Sequence, residues 1–380
     1  MRDSRLDKLA DVIVNYSTGV KPGQIVRISG DPIAQPLIEA LYERVMQAGA
    51  HPTVRMTPDT LQNIFYEHAN DEQLKYVSPL MQHEIENIDV SIGIWAETNT
   101  KSLTNVSAKK QATASAARKP IFKVFMERAA KGTLKWSGTL YPTAASAQDA
   151  EMSLQEYENF VFNAGHLDKA DPVAEWMKIK DRQQKLTDYL SNGRRELHFK
   201  TDNGTDLKVN VEGMTWINCS GNENFPDGEV FTGPNLKASD GGVNGVVRYS
   251  FPAVHRGREV HDIELTFEKG KVVKALASKN QDFLNEMLDQ DAGARYLGEI
   301  AIGTNYNITR YTKNTLFDEK IGGTFHAAVG AGYPESGNNN ESGLHWDMVC
   351  DLRTGGTISV DGEVISRDGK FVDPEWPAAE

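Results

Sequence analysis

The sequence predicts an α/β N-terminal domain with an open, mostly parallel sheet, followed by an α+β, β-rich domain that binds metal. Three observations predict it. As far as Tyr141, apolar strand-like runs alternate with amphipathic helical ones, the pattern of β-α-β units. From Arg195 onward, short strands and tight turns replace that alternation. Between Gly298 and Cys350 a carboxylate, two histidines, a tyrosine and an aspartate arrive in close succession within mainly apolar segments. A chain of 380 residues with 39% hydrophobic content is long enough for two cores, and the expected division is 1–185 and 186–380.

Leu6, Leu9, Ala10, Ile13 and Val14 mark a first helix, and Lys21-Pro22-Gly23-Gln24 turns into a strand over Ile25–Ile28. A helix over Pro36–Ala48 and a strand over His51–Met56 complete a β-α-β unit, for which a right-handed crossover is expected. The pattern repeats with a strand over Ile88–Trp95, helical segments over Asn105–Arg118 and Pro120–Ala130, and a strand over Leu134–Tyr141. Leu154–Phe162 is helical, and the charged helix Val173–Leu190 links the domains. The β-rich half begins with Leu197–Phe199, an Asn203-Gly204 turn and Leu207–Val211. Strands over Glu229–Thr232, Val246–Tyr249, Asp262–Phe267 and Val272–Ser278 extend it, and a hairpin across Asp361-Gly362 closes it.

Composition excludes several functions. A net charge of -12 and a pI near 5.3, with no dense Lys/Arg stripe, argue against a nucleic-acid partner. No apolar run approaches the ~18 residues that span a bilayer, and the N-terminus lacks a signal-peptide core, so a cytoplasmic location is expected. Cys219 and Cys350 lie far apart, as reduced thiols do. Neither GxGxxG nor GxxxxGK[ST] occurs, so a nucleotide cofactor is unsupported. His83-Glu84-Ile85-Glu86-Asn87 fails the HExxH pattern at its last position, and no GxSxG elbow is present.

What remains is metal chemistry. In Leu344-His345-Trp346-Asp347-Met348-Val349, residues two apart share a strand face, so His345 and Asp347 project together and Trp346 faces away. Imidazole beside carboxylate suits zinc, cobalt or manganese. Glu299 lies inside an apolar strand, where an unpaired carboxylate is costly, so it needs a cation. Phe317–Gly330 reads as a buried helix ended by glycines, with His326 in its middle and Tyr333 just beyond, both looking into one pocket. Glu229 heads a strand after a turn-rich entry. Alone, His326 would be an ordinary helix histidine, Glu229 a solvated loop acid and Tyr333 a pocket wall.

The segments Gly228-Glu229-Val230-Phe231-Thr232-Gly233-Pro234, Gly298-Glu299-Ile300-Ala301, His326 to Tyr333 and His345-x-Asp347 together resemble the M29 metallo-aminopeptidases, the aminopeptidase T and S group. Lys21–Gln24 and Ala48-Gly49-Ala50 resemble that family's first domain, and the likeness spans the whole chain. It implies Glu229, Glu299, His326, His345 and Asp347 as ligands of two divalent metals, with Tyr333 in or beside them, in a homodimer acting on peptides. Two divalent cations, three carboxylates and one bridging hydroxide sum to zero charge, which a water-poor cleft tolerates. Glu299 would bridge and shuttle a proton, and Tyr333 would steady the oxyanion. Asp227, Asp318 and Glu319 are the acids available to receive a substrate ammonium. A two-metal amidase or phosphoesterase, or a non-catalytic metal-binding protein, would use the same residue types.

Overall fold

The parallel sheet of the first half is built from strands whose inner residues are almost wholly apolar: Val26, Ile28, Val90 and Ile92 are completely enclosed. In the computed structural model, which describes residues 2–255 and 257–379, its strands run in the order His51–Met56, Ile25–Gly30, Val90–Trp95, Lys135–Leu140, Asn224–Phe225. All four pairings are parallel. The helix Ser4–Asp11, capped by the Asp3 side chain on the Arg5 N–H, buries Leu6, Leu9 and Ala10. The two helical segments flanking Pro120 form one helix, Ala108–Ala130. Proline removes one hydrogen bond there without ending the helix.

The chain divides into two compact units, Met1–Val173 with Gly221–Pro226, and Ala174–Ser220 with Asp227–Glu380. The division after residue 185 drawn from the sequence lies inside the helix Pro172–Ser191. The excursion Gly221–Pro226, which supplies the last strand of the parallel sheet, has no counterpart in that division.

In the second unit two large antiparallel sheets share one core, beside a small two-stranded sheet of Ala253–His255 and Arg258–Val260. In the eight-stranded sheet the strands Glu196–Thr201 and Asp206–Asn210 alternate, burying Leu197, Phe199, Leu207 and Val209 while His198 is half-buried and Lys208 exposed. The five-stranded sheet has the order His345–Asp351, Thr324–Gly330, Leu297–Gly303, Glu229–Thr232, Ile217–Cys219. Its three inner strands are buried on both faces. Phe199 of one sheet stacks on Phe325 of the other at 4.2 Å between centroids.

One expected element is corrected. The residues around His326 are not helical: a short helix, Thr315–Asp318, is followed by the strand Thr324–Gly330. A strand covered on both faces loses its period of two, and its continuous apolar run then looks like a buried helix. Among the described residues no helix is long and apolar enough to cross a membrane.

Candidate metal centre

Alternation along the five-stranded sheet explains why its polar residues meet. Val230, Ile300, Ile302, Phe325, Ala327, Val329, Trp346 and Met348 belong to the core. Their neighbours in sequence therefore point to the opposite face: Glu229, Glu299, His326, His345 and Asp347. Across the ladders each of these meets a small residue. His326 stands opposite Ala301, Glu299 and Asp347 flank Ala328 from either side, His345 faces Gly330 and Glu229 faces Gly303. Alanine and glycine leave the space into which the longer side chains lean together.

Glu299 is central to the array. Its Oε1 lies 3.4 Å from His326 Nε2 and its Oε2 lies 3.3 Å from His345 Nε2. Asp347 Oδ1 is 3.4 Å from His345 Nε2 and 3.8 Å from His326 Nε2. Glu229 Oε2 is 3.5 Å from His326 Nε2. These separations are long for good N–H···O bonds but match ligands about 2.1 Å from a shared tetrahedral ion, which stand roughly 3.4 Å apart.

The ring orientations agree. His326 Nδ1 donates to the Glu319 carbonyl at 3.0 Å, and His345 Nδ1 donates to the Ala331 carbonyl at 2.8 Å. Each bond occupies Nδ1 and turns Nε2 toward the acids. Glu229 Oε2 is buried and has no hydrogen-bond partner among the described residues. An orphaned carboxylate oxygen beside two oriented imidazoles fits a divalent cation, and oxygen with nitrogen donors fits a borderline-hard one.

The electrostatics show the same demand. Burial alone would lower both imidazole pKa values, yet the surrounding acids push His326 up to about 10 and His345 up to about 12. Burial pushes Glu229 up to about 8, against the pull of Lys320. Burial also opposes ionisation of Glu299 and Asp347, but the histidines hold both below the usual carboxylate range, Asp347 far below. Tyr333 stands edge-on to His345 at 5.1 Å and tilts on Phe231 at 5.4 Å. Burial first, then the charges of Glu299 and Asp347, raise its phenol well above the ordinary tyrosine value.

The structure thus gathers all five acids and histidines singled out from the sequence, and sets Tyr333 against one of them. Lys320 and Gln183 were missed, and Glu319, expected only as an acid available to a substrate ammonium, joins the donor cluster. Lys320 is completely enclosed, with its ammonium 3.5 Å from Glu229 Oε1 and paired to Glu319. Burial would lower its pKa, but Glu229 and Glu319 raise it. Glu319 itself brings a carboxylate oxygen within 4.8 Å of the donor atoms of His326 and Asp347. Gln183, fully buried on the helix Pro172–Ser191, donates to the Glu229 carbonyl at 3.0 Å and the Cys219 carbonyl at 2.9 Å, and accepts from Thr304 Oγ1 at 3.0 Å. It pins the strand that carries Glu229. In the sequence Lys320 is an ordinary charge beside the candidate acids Asp318 and Glu319, and no local signal marks it as enclosed.

A family model described as thermophilic metalloprotease (M29) matches residues 2–371. The chain belongs to this family. The resemblance drawn from the strand motifs is borne out, and the protein is a metal-dependent peptidase. Among M29 relatives, Aminopeptidase 2 of Geobacillus stearothermophilus is 28% identical over 97% of this chain and 95% of its own. The solved structure of wild-type AmpT from Thermus thermophilus superposes with a TM-score of 0.84 at 26% identity, over 97% of this chain and 99% of that one. A 2,5-dihydroxypyridine dioxygenase from Pseudomonas putida has a TM-score of 0.59 at 15% identity, over 98% of each chain. That likeness shows the fold alone, so the chemistry must be argued from the site.

Proposed function

We propose that this M29 protein is an aminopeptidase, releasing residues from peptide N-termini with two divalent cations held by Glu229, Glu299, His326, His345 and Asp347. The observation that carries this reading is the position of Glu299, one carboxylate oxygen toward each histidine. A single carboxylate so placed would serve both ions. When bound, zinc, cobalt or manganese supplies Lewis-acid activation of the scissile carbonyl and of water.

The chain's own residues do the rest. The carbonyls of Glu319 and Ala331 hold the two imidazoles in one tautomer. Glu299 stays ionised, since the histidines hold its pKa low, and as a free carboxylate is the group that takes up the proton during hydrolysis. Tyr333 stays protonated throughout, so its hydroxyl donates to negative charge developing on the carbonyl oxygen beside His345. A homodimer acting on peptides completes the reading on the strength of the family resemblance, and the acidic composition and absence of a long apolar run add a cytoplasmic location without nucleic-acid or membrane partners.

The test is hydrolysis of an amino-acid amide and peptide panel before chelation, after chelation and after metal add-back. Free leucyl and phenylalanyl peptides should be shortened one residue at a time, and their N-acetylated forms should not be cut. Internal cleavage of blocked peptides at a comparable rate, or preference for phosphomonoesters, would overturn the assignment.

A further inference from the structure

The first unit carries a crevice that the metal centre does not use. Ile25–Gly30 connects onward to His51–Met56 on one side of it, whereas Val90–Trp95, its neighbour on the other side, connects onward to Lys135–Leu140. Connections that leave two adjacent parallel strands in opposite directions part at the carboxyl ends of those strands, and open α/β sheets receive small ligands in the gap. A cavity of about 340 Å³ lies at that place, within the size range of small-molecule sites. Part of its wall is bare backbone: a Cβ built at Gly93 would meet nothing within 4 Å.

The walls carry both signs of charge. Glu97 is half-buried, and its carboxylate has no partner among the described residues. Asp59 accepts from the Thr98 N–H at 2.8 Å and the Thr98 hydroxyl at 2.6 Å through Oδ2 alone, which leaves Oδ1 uncommitted. Asp31 is engaged at both oxygens, by the N–H groups of Ile33 and Asp59, each at 2.8 Å. Arg55 shares Glu84 Oε2 with Arg27, at 3.1 Å and 3.0 Å, and two guanidiniums on one carboxylate leave a positive charge over. Arg55, Ser29 and Gly93 stand in register across three strands, so Arg55 lies on the face that Gly93 leaves open. Trp95, 44% exposed, adds an aromatic wall. We propose that this crevice binds an ammonium–carboxylate zwitterion with an apolar body, a free amino acid or a short peptide, separately from the metal centre. Glu97 and Asp59 receive its ammonium, Arg55 its carboxylate, and Trp95 its apolar body. A phosphate-bearing ligand would meet three acids against one guanidinium. Among the described residues those acids do not stand close enough together to hold a metal ion. The inference goes beyond the aminopeptidase reading and stands without it.

The experiment is calorimetric titration of the chelated full chain, which cannot consume a peptide, with L-leucine, leucyl-leucine, leucinamide and 4-methylpentanoate. Leucine or leucyl-leucine should bind at least ~5-fold more tightly than either one-charge analogue, as a charge-assisted contact allows, and the tighter of the two identifies the natural length. Glu97→Gln should weaken the ligands that carry an amine and leave 4-methylpentanoate unchanged. Arg55→Gln should weaken the ligands that carry a carboxylate and leave leucinamide unchanged. Gly93→Val removes no charge, suits a strand and fills the crevice, so it should weaken all four. It serves as the readout if a charge variant fails to fold. All three variants should keep wild-type metal content and kcat once metal is restored. Absence of binding to the chelated chain, or equal binding of the zwitterions and the one-charge analogues, overturns the inference. So does binding that all three variants leave intact or that Asp347→Ala abolishes, which would place the zwitterion at the metal centre. Failure of the loaded protein to hydrolyse peptides would count against the aminopeptidase reading and leave this inference standing.

Discussion

The eight-stranded and five-stranded sheets of the second unit face one core, yet only the five-stranded one gathers the candidate metal ligands. In the eight-stranded sheet His198 sits on an outward position and pairs with exposed Asp206 at 2.6 Å, where water supplies whatever solvation the pair lacks. In the five-stranded sheet His326 is 1% exposed and Glu299 4%, and water cannot reach them. The difference teaches where to look for function: a polar residue on a half-solvated strand needs no explanation, whereas one on a strand covered on both faces needs a partner. Here the partners are other polar residues of the same face, together with a cation.

The sharpest break between the sheets comes from truncating equivalent-looking histidines. His345→Ala or Asp347→Ala should reduce hydrolysis below detection and lower the metal content measured by elemental analysis. His198→Ala should leave both unchanged, with unfolding shifted by no more than ~0.5 kcal/mol, as for surface sites. Full metal content in either site variant would place the metal elsewhere.

Glu299→Gln is a subtler change, preserving volume while removing charge and basicity. A fall of at least ~100-fold in kcat is expected, the scale of general acid–base contributions. Circular dichroism should show the fold intact. A rate near wild type would remove Glu299 from the mechanism.

The smallest expected effect is on stability against pH, and it concerns the chelated protein. An imidazole titrates near 6.5 when unperturbed, but His326 and His345 are pushed up to about 10 and about 12 by the acids around them. Between pH 6.5 and 10 the folded chain therefore holds protons that the unfolded chain has released, and stability falls as pH rises through that window. Glu229, shifted upward to about 8 by burial, slopes the same way over the lower part of the range. The melting temperature of chelated protein should thus drop from pH 6.5 to 9. The loaded protein should respond less, because metal takes the place of those protons. A chelated protein whose melting temperature rose with pH would contradict the proton-for-metal picture.

Much of this was legible in the sequence because alternation is a local property. His345 and Asp347 share a face by their spacing, and an acid within Leu297–Gly303 is anomalous in any apolar strand. His326 was assigned to the right pocket through the wrong element: burial on both faces erased the period that separates strand from helix. The opposition of each ligand candidate to alanine or glycine was out of reach, since strand register is set by pairing between segments dozens of residues apart.

By itself, then, the sequence determined the two-part architecture and the residue types of a candidate metal centre. Composition and short-range periodicity suffice for those. Only the tertiary structure decided that Lys320 is enclosed beside Glu229 and Glu319, and that Gln183 pins the Glu229 strand from a helix. A charged turn and a polar helix residue look solvated until the elements that cover them are in place, and burial of that kind is a property of long-range packing, which local sequence does not encode.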